Sequence, residues 1–504
     1  MRTVIMSDIH IGDNYRTCWY QATVHEPYLL ALLDYIIQNA SGGPEPIGRL
    51  VILGDFFDFW TYPPAVVPPS IDQIIQANPN VLGPEGKLRQ VLDALAGNVQ
   101  YIHGNHDITL TQADLDRIPT GQHKIAMLPD ITPDPSGLLL THGHLATMFN
   151  APDPRAPVPV GYYVTRVIAH LVEQELAPNQ TAADLHNQGS PYGFSLASLI
   201  PSLSGQFSNP SITNLLIDYI CERCGWDESG QIKLEGGAST TIAAIKPLYD
   251  GLWTNWARDN GGGEVGALIA AKAAQADYEG SYICWFAQKF AFERNQARAI
   301  MGHTHVPKVG IQHSACDYVN NGFECPSTPD ISAGQTHWNF TEVAGDGTMS
   351  LRQVAHRNGS YLIEPASAPP DTIVYSPFMD FSCYISIVNN SGGDLTYQTQ
   401  SASRGYFVFP PPKTIRAGTT ARLWIQDLPG AYGAEGAVTY TDSQGKRWAF
   451  SFGCPTGFSP NYASGGACFV ATSENPPMPG QKPSPSVPRT GHPLFVTFYL
   501  VYPS

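Results

Sequence analysis

Asp8-Ile9-His10, Gly54-Asp55, Gly104-Asn105-His106-Asp107, His142-Gly143-His144 and Gly302-His303-Thr304-His305 are five short segments, far apart in the chain, that set oxygen- and nitrogen-donor side chains just after apolar runs. They supply carboxylate, amide and imidazole but no thiolate. That donor set suits Mn, Fe, Zn or Ni better than a structural cysteine-rich zinc site. Taken singly, each segment has an ordinary explanation: a lone Asp after a strand is usually a turn residue or cap, and a lone His a hydrogen-bonded core or surface residue. All five in one chain point to a metal centre.

The elements that must position these residues are legible beside them. Val4-Ile5-Met6, Leu50-Val51-Ile52-Leu53, Val99-Gln100-Tyr101-Ile102 and Leu138-Leu139-Leu140 precede the first four segments and read as short buried strands. Side chains just past the carboxyl ends of such strands converge on one rim of a sheet, where open α/β sheets bind ligands.

The ordered set D-x-H, G-D, G-N-H-D, H-G-H and G-H-x-H resembles the calcineurin-like metallophosphoesterase superfamily, and the resemblance spans residues 1–355. It implies an α/β fold, a two-sheet sandwich flanked by helices, and two divalent metal ions that activate a shared water and hold the phosphoryl oxygens for in-line attack. Carried over by motif position, Asp8, His10, Asp55 and His305 hold one ion, and Asp55, Asn105, His142 and His303 hold the other. Asp55 is then the bridge, a role for a carboxylate because it offers two anionic oxygens. The resemblance also makes His106 the residue that assists the leaving group or stabilises the transition state, with Asp107 orienting its imidazole. His144 is expected either to face the substrate phosphate or to support its loop.

Ser7 to Gly12 together with Gly54-Asp55-Phe56-Phe57-Asp58-Phe59-Trp60 looks like the branch containing UDP-2,3-diacylglucosamine pyrophosphohydrolases. Those enzymes carry Arg where this chain has His106 and lack so large an insertion. Only a phosphoric ester or anhydride, lipid-linked or not, carries over as the substrate class.

Composition sets limits on function. A net charge of −15 argues against a general nucleic-acid binder, because counterion release needs clustered Lys and Arg. No apolar run reaches the ~20 residues of a membrane span. The first strand opens at Thr3 and leaves no room for a cleavable signal, so a cytoplasmic location or export without one is expected. Nine cysteines form no regular framework, and Cys221-x-x-Cys224 stands without a second pair at zinc-finger spacing. Cys316 with Cys325, or Cys454 with Cys468, are the pairs an oxidising compartment could join.

Between His142 and His303 lies more chain than a crossover helix needs. Residues 149–297 read as a helical cap, with helical stretches Tyr163 to Leu176, Ser211 to Cys224, Thr240 to Tyr249 and Glu264 to Ala274. Its aromatic residues read first as packing, and Arg166 and Arg258 are candidate substrate contacts. Residues 356–371 read as a linker. Beyond them the pattern alternates, with strands Ser382 to Val388, Tyr406 to Phe409, Thr420 to Ile425, Gly436 to Tyr440, Arg447 to Phe452 and Leu494 to Val501, so residues 372–504 read as an all-β sandwich.

Ile387-Val388-Asn389-Asn390-Ser391, Ala417-Gly418 and the Gly-x-x-Gly-x-Val-x-Tyr pattern within Gly430 to Tyr440 resemble the aegerolysins, small β-sandwich proteins. That resemblance implies a membrane-lipid partner. Two readings follow: a metal-dependent phosphodiesterase brought to a lipid surface, or a lipid-binding, toxin-like protein whose phosphoesterase domain is mainly structural. Retention of Asp55, Asn105, His142, His303 and His305 together favours the enzyme.

Overall fold

The computed structural model describes residues 1–186, 211–260, 282–312, 316–321, 338–372, 381–427, 432–457, 459–465, 469–472 and 492–501. Strands Arg2–Met6, Ile47–Leu53, Val99–Ile102 and Ala126–Met127 run parallel, and Trp338–Val343, Met349–Arg357 and Ser360–Pro365 continue the same sheet antiparallel from the free side of Arg2–Met6. A second sheet is ordered Lys308–Val309, Asp317–Asn320, Arg298–Met301, Leu138–Leu140, Thr132–Pro133, with its three central strands parallel.

The two-residue period of a strand explains how these sheets pack. Ile5, Val51, Leu53 and Ile102 point to one side and share a core with Leu138, Leu140, Ile300 and Val319 of the second sheet. Their neighbours Val4, Met6, Leu50, Ile52, Val99 and Tyr101 point the other way into a larger core. Leu29, Leu32, Leu33 and Ile36 of helix Ala22–Asn39 close over that face. Pro27 falls in the second turn of that helix, where it leaves the Thr23 carbonyl without its intrahelical donor.

The insertion is helical where described: Val160–Glu175, Ala182–His186, Ile212–Cys224, Ile242–Ile245, Leu252–Asn260 and Tyr282–Glu293, with a small hairpin Ile232–Lys233/Ser239–Thr240. The helix expected over Glu264 to Ala274 lies outside the described residues. One expectation is corrected. Ser360–Pro365, read as linker, is the edge strand of the first sheet, paired with Arg352 to Arg357. Its Tyr-Leu-Ile alternation lies among exposed and half-buried positions, as an edge strand's does. Among the described residues no helix is long and apolar enough to cross a membrane.

The C-terminal strands form two five-stranded sheets. One is ordered Tyr406–Phe409, Thr420–Gln426, Cys383–Asn390, Leu494–Val501, Phe469–Thr472; the other Thr414–Ile415, Leu395–Arg404, Ala434–Asp442, Arg447–Cys454, Tyr462–Ser464. Cys383, Ile385, Leu423, Ile425 and Val496 face inward to a core shared with Val438, Phe450 and Phe452. The alternate residues Phe409, Trp424, Tyr384 and Phe495 stand in one row across four strands. That row belongs to the larger core of the phosphoesterase part, with Trp285 5.1 Å from Trp424 and Phe292 5.9 Å from Tyr384, ring to ring.

Candidate metal centre

Each motif residue follows a parallel strand, so all of them arrive at one rim of the paired sheets. Asp8 stands two residues past Met6, Asp55 two past Leu53, His142 two past Leu140 and His303 two past Met301. The chain turns back sharply there. Asp8 (φ 60°), His10 (58°), Asp55 (50°), His303 (74°) and His305 (58°) all occupy the left-handed region, which disfavours side-chain-bearing residues by roughly 1–2 kcal/mol each. Such strain persists only when the surroundings over-determine it, and it gathers at functional sites. Here the holding bonds are Asp8 N–H to Gly54 O (3.0 Å), His10 N–H to Asp55 O (2.8 Å) and His303 N–H to Asp8 Oδ1 (2.9 Å).

Glycine is required where strand ends approach each other. A Cβ on Gly104 would lie 2.0 Å from Asp55 Oδ1, and one on Gly302 2.4 Å from Asp8 Oδ2. These approaches explain the G in G-N-H-D and in G-H-x-H.

Three overlapping groups of donors result. Asp8, His10 and His305 form one, Asp55, His142 and His303 another, and His10, Asp55 and His106 a third that lies between them, with the ligand atoms of each group within 4.8 Å of one another. His10 Nε2 and His305 Nε2 face each other at 3.2 Å, near the spacing of adjacent ligands on one cation with bonds of about 2.0–2.1 Å. His142 Nδ1 bonds to Leu53 O at 2.8 Å, which turns Nε2 inward to 3.1 Å from Asp55 Oδ2. His303 Nε2 is held by Thr147 Oγ1 (3.0 Å) and Asn150 Nδ2 (3.2 Å). Such bonds fix the tautomer and ring plane of a metal ligand.

Asp55 links the groups, though not through both oxygens. Oδ1 accepts the His106 N–H at 2.7 Å, while Oδ2 lies 3.1 Å from His142 Nε2 and 3.9 Å from His10 Nε2. A single oxygen therefore faces both groups.

The residues fit divalent cations. Asp8 Oδ2 and Asn105 Oδ1 are buried without a hydrogen-bond partner, a costly state for polar atoms that a cation relieves. The electrostatics agree. Burial opposes a charge on His142, but Asp55 and Asp8 raise its pKa to about 10. Burial also works against Asp55, and the neighbouring His142 and His106 imidazoles nonetheless hold it well below the carboxylate range.

His106 is oriented by Asp58, not by Asp107 as expected. Its Nδ1 is 3.1 Å from Asp58 Oδ1, and its ring stacks on Trp60 with centroids 4.6 Å apart. Asp58 is itself fixed by the Trp60 N–H (2.7 Å), the Thr61 N–H (3.1 Å) and the Thr61 hydroxyl (2.9 Å). Burial disfavours its charge, yet the His106 and His10 imidazoles depress its pKa far below normal. Asp107 instead accepts from the Gly104, Phe56 and Phe57 N–H groups and the Tyr101 hydroxyl. It shapes the loop and is turned away from the imidazole because its oxygens are occupied there.

The other expected contacts divide. His144 is buried, neither ring nitrogen has a partner, and burial with His142 nearby depresses its pKa to about 3. It neither donates a supporting hydrogen bond nor carries a charge for phosphate. Arg166 is fully buried and donates to the carbonyls of Tyr62, Pro63, Val66 and Lys233 and to the Tyr162 hydroxyl. All five of its N–H donors are thus spent, and it fastens the insertion to the loop after Asp58 instead of binding substrate. Arg258 falls in helix Leu252–Asn260, but its side chain lies outside the described residues.

Sequence reasoning missed the roles of Asp58, Thr147 and Asn150. Asp58 carried a signal, its place three residues after Asp55. Thr147 and Asn150 had none, because their partner His303 is more than 150 residues away.

Paired His/Asp groups at the carboxyl ends of parallel strands from two facing sheets define a metallophosphoesterase site. Residues 1–168 match the model of the calcineurin-like phosphoesterase family. No curated protein matches the chain. Solved structures that it resembles include the lipid binding protein Nakanori, at 19% identity over 16% of this chain and 42% of that one, TM-score 0.16. The chain thus spans less than half of that protein's length. RahU protein in complex with a TRIS molecule matches at 16% identity over 23% of this chain and 92% of that one, TM-score 0.18. IP-1A from Alcaligenes faecalis matches at 16% identity over 23% and 89%, TM-score 0.17.

Proposed function

We propose that the protein is a dinuclear-metal phosphodiesterase, with Asp8, His10, Asp55 and His305 holding one divalent ion and Asp55, Asn105, His142 and His303 the other. The observation that carries this is the single Asp55 oxygen facing both donor groups. Two bound ions of Mn, Zn, Fe or Ni would supply an activated water and neutralise charge on the phosphoryl group. His106 supplies the proton to the leaving oxygen: burial opposes its charge, but Asp58 and Asp55 raise its pKa, which favours the protonated imidazole an acid needs. Nδ1 is committed to Asp58, so Nε2 is the nitrogen that gives the proton.

The diester preference rests on what surrounds His106. Arg166 is spent on carbonyls, and the rings against the imidazole are Trp19 and Trp60. Such a rim suits the single charge and second organic group of a diester over a dianionic monoester. Hydrolysis of bis-p-nitrophenyl phosphate at ten or more times the kcat/KM of p-nitrophenyl phosphate is expected. A faster monoester reaction would contradict the preference.

The C-terminal sandwich is assigned a lipid-binding role, supported by the aegerolysin resemblance of Ile387 to Ser391 and the stretch ending at Tyr440. Its Tyr384, Trp424 and Phe495 face is covered by helix Tyr282–Glu293, so lipid contact falls to the other sheet, beside exposed Tyr432 and Tyr462. Co-sedimentation with phosphatidylcholine vesicles, with and without anionic lipid, tests this; no binding to either would remove it.

A further inference from the structure

Thr17, Cys18 and Tyr20 are buried, yet Trp19 among them keeps part of its ring exposed. The loop that presents it is fastened throughout. Asn78 Nδ2 donates to Gly12 O (2.7 Å), Thr17 Oγ1 to Thr61 O (2.6 Å), Gln21 Nε2 to Tyr15 O and Cys18 O (both 2.9 Å), and Ala22 N–H to Asn14 Oδ1 (2.7 Å). Even a methyl group at Gly12 would meet the Tyr62 hydroxyl at 2.5 Å. An indole on so fixed a loop is held in place before any ligand arrives.

It is held at the donor cluster. The Trp19 ring centroid lies 4.8 Å from that of His10, 4.9 Å from His106 and 5.6 Å from His305. His106 is flanked by Trp19 and, on another side, by Trp60 at 4.6 Å. A partly buried indole beside the group assigned to protonate the leaving oxygen meets whatever that oxygen carries. Its flat π face favours another ring over a flexible chain, since ring pairs add attraction beyond apolar burial.

We propose that Trp19 is a specificity-determining wall of this site, which takes a flat aromatic ring attached to the ester oxygen next to His106 in preference to an alkyl group of equal size. The assignment rests on the phosphodiesterase reading above.

The test uses the full chain reconstituted with Mn²⁺ and two probes of equal carbon count, phenylphosphonate and n-hexylphosphonate. Each is measured as an inhibitor of bis-p-nitrophenyl phosphate hydrolysis and as a ligand by calorimetry. Phenylphosphonate is expected to bind about tenfold tighter, within the range of ring stacking on aromatic side chains. Trp19→Ala should bring that ratio near one and Trp19→Phe should keep most of it. If Trp19→Ala does not fold, Trp19→Leu, which keeps apolar bulk without a ring, answers the same question. A wild-type ratio near one, or a ratio that survives Trp19→Ala and Trp19→Leu, would overturn the assignment. Thymidine 5′-monophosphate against ribose 5-phosphate separates the sources of the ring: a similar preference identifies a nucleobase, and none identifies a simple aryl group. A chain that hydrolyses neither ester refutes the phosphodiesterase reading, while the calorimetric ratio still decides the role of Trp19.

Discussion

Asp58 places one carboxylate oxygen 3.1 Å from His106 Nδ1 and the other 3.5 Å from His10 Nδ1, so a single side chain sets both the assigned proton donor and a candidate metal ligand. Asp58→Asn keeps the shape and removes the charge. Without that charge the His106 imidazolium is less stable, its pKa falls, and the alkaline limb of the kcat/KM profile moves to lower pH. An unmoved limb would contradict the pairing.

His106→Ala removes the assigned acid and leaves all seven proposed ligands in place. Turnover should fall by roughly 10²–10⁴-fold, the usual contribution of a positioned acid or base. Metal content by elemental analysis should stay unchanged. Full turnover would leave His106 as a mere buttress of Asn105.

His103 makes a separate pH-dependent contribution to stability. Burial opposes its charge, but the Asp130 carboxylate 3.1 Å away, Asp107 and the Leu110 carbonyl raise its pKa to about 9. A histidine pKa raised above its unfolded value, about 6.5, stabilises the fold fully below that pH, and the contribution disappears as pH rises through 9. The thermal midpoint should therefore decline between these two values, and Asp130→Asn should flatten the decline. Asp130 is 36% exposed, so the effect is modest.

Arg166→Met leaves the buried Tyr62 and Pro63 carbonyls, the half-buried Val66 and Lys233 carbonyls and the Tyr162 hydroxyl short of a donor. A loss of about 3 kcal/mol or more is expected, since each unsatisfied buried group costs roughly 1–3 kcal/mol. Lys at this position should not restore it, lacking the planar fork. Denaturant titration showing a loss below ~0.5 kcal/mol, the scale of an ordinary surface substitution, would contradict the clamp.

The β sandwich is joined to the phosphoesterase part by packing. Trp285 Nε1 donates to Gln426 Oε1 at 2.9 Å, and Gln288 donates to the Tyr384 hydroxyl. On the opposite side of the same helix, Ile283 Cδ1 would sit 3.1 Å from a Cβ on Gly143, between His142 and His144. Trp424→Ala should cost roughly 3–5 kcal/mol and destabilise both parts in one calorimetric transition. Two transitions, with only one shifted, would show independent domains.

The sequence exposed the site better than the scaffold's details. Metal-binding chemistry needs particular side chains at strand ends, and a strand end followed by Gly, Asp, Asn or His is a local pattern, so the five segments are readable; the seven proposed ligands within them are what the family resemblance implies. Orientation is not local: Asp58 had to be paired with His106 and Arg166 with four distant carbonyls before their roles were visible. Strand Leu395–Arg404 went unread because, beyond Leu395, it is polar and largely exposed, leaving no alternation to detect. Ser360–Pro365 was hidden by the prolines after it, which made an edge strand resemble a linker.

The central claim is that the joined His/Asp groups bind metal and that this metal drives phosphoester hydrolysis. It is tested most directly on metal-stripped protein given Mn²⁺, Zn²⁺, Ni²⁺, Fe²⁺ or Mg²⁺ in turn, with bis-p-nitrophenyl phosphate and p-nitrophenyl phosphate as substrates, bound metal measured in parallel and Asp55→Asn as control. The expected result is two bound ions per chain and turnover that requires them, with both lost in Asp55→Asn. Turnover that persists without metal, or full activity in Asp55→Asn, would contradict it.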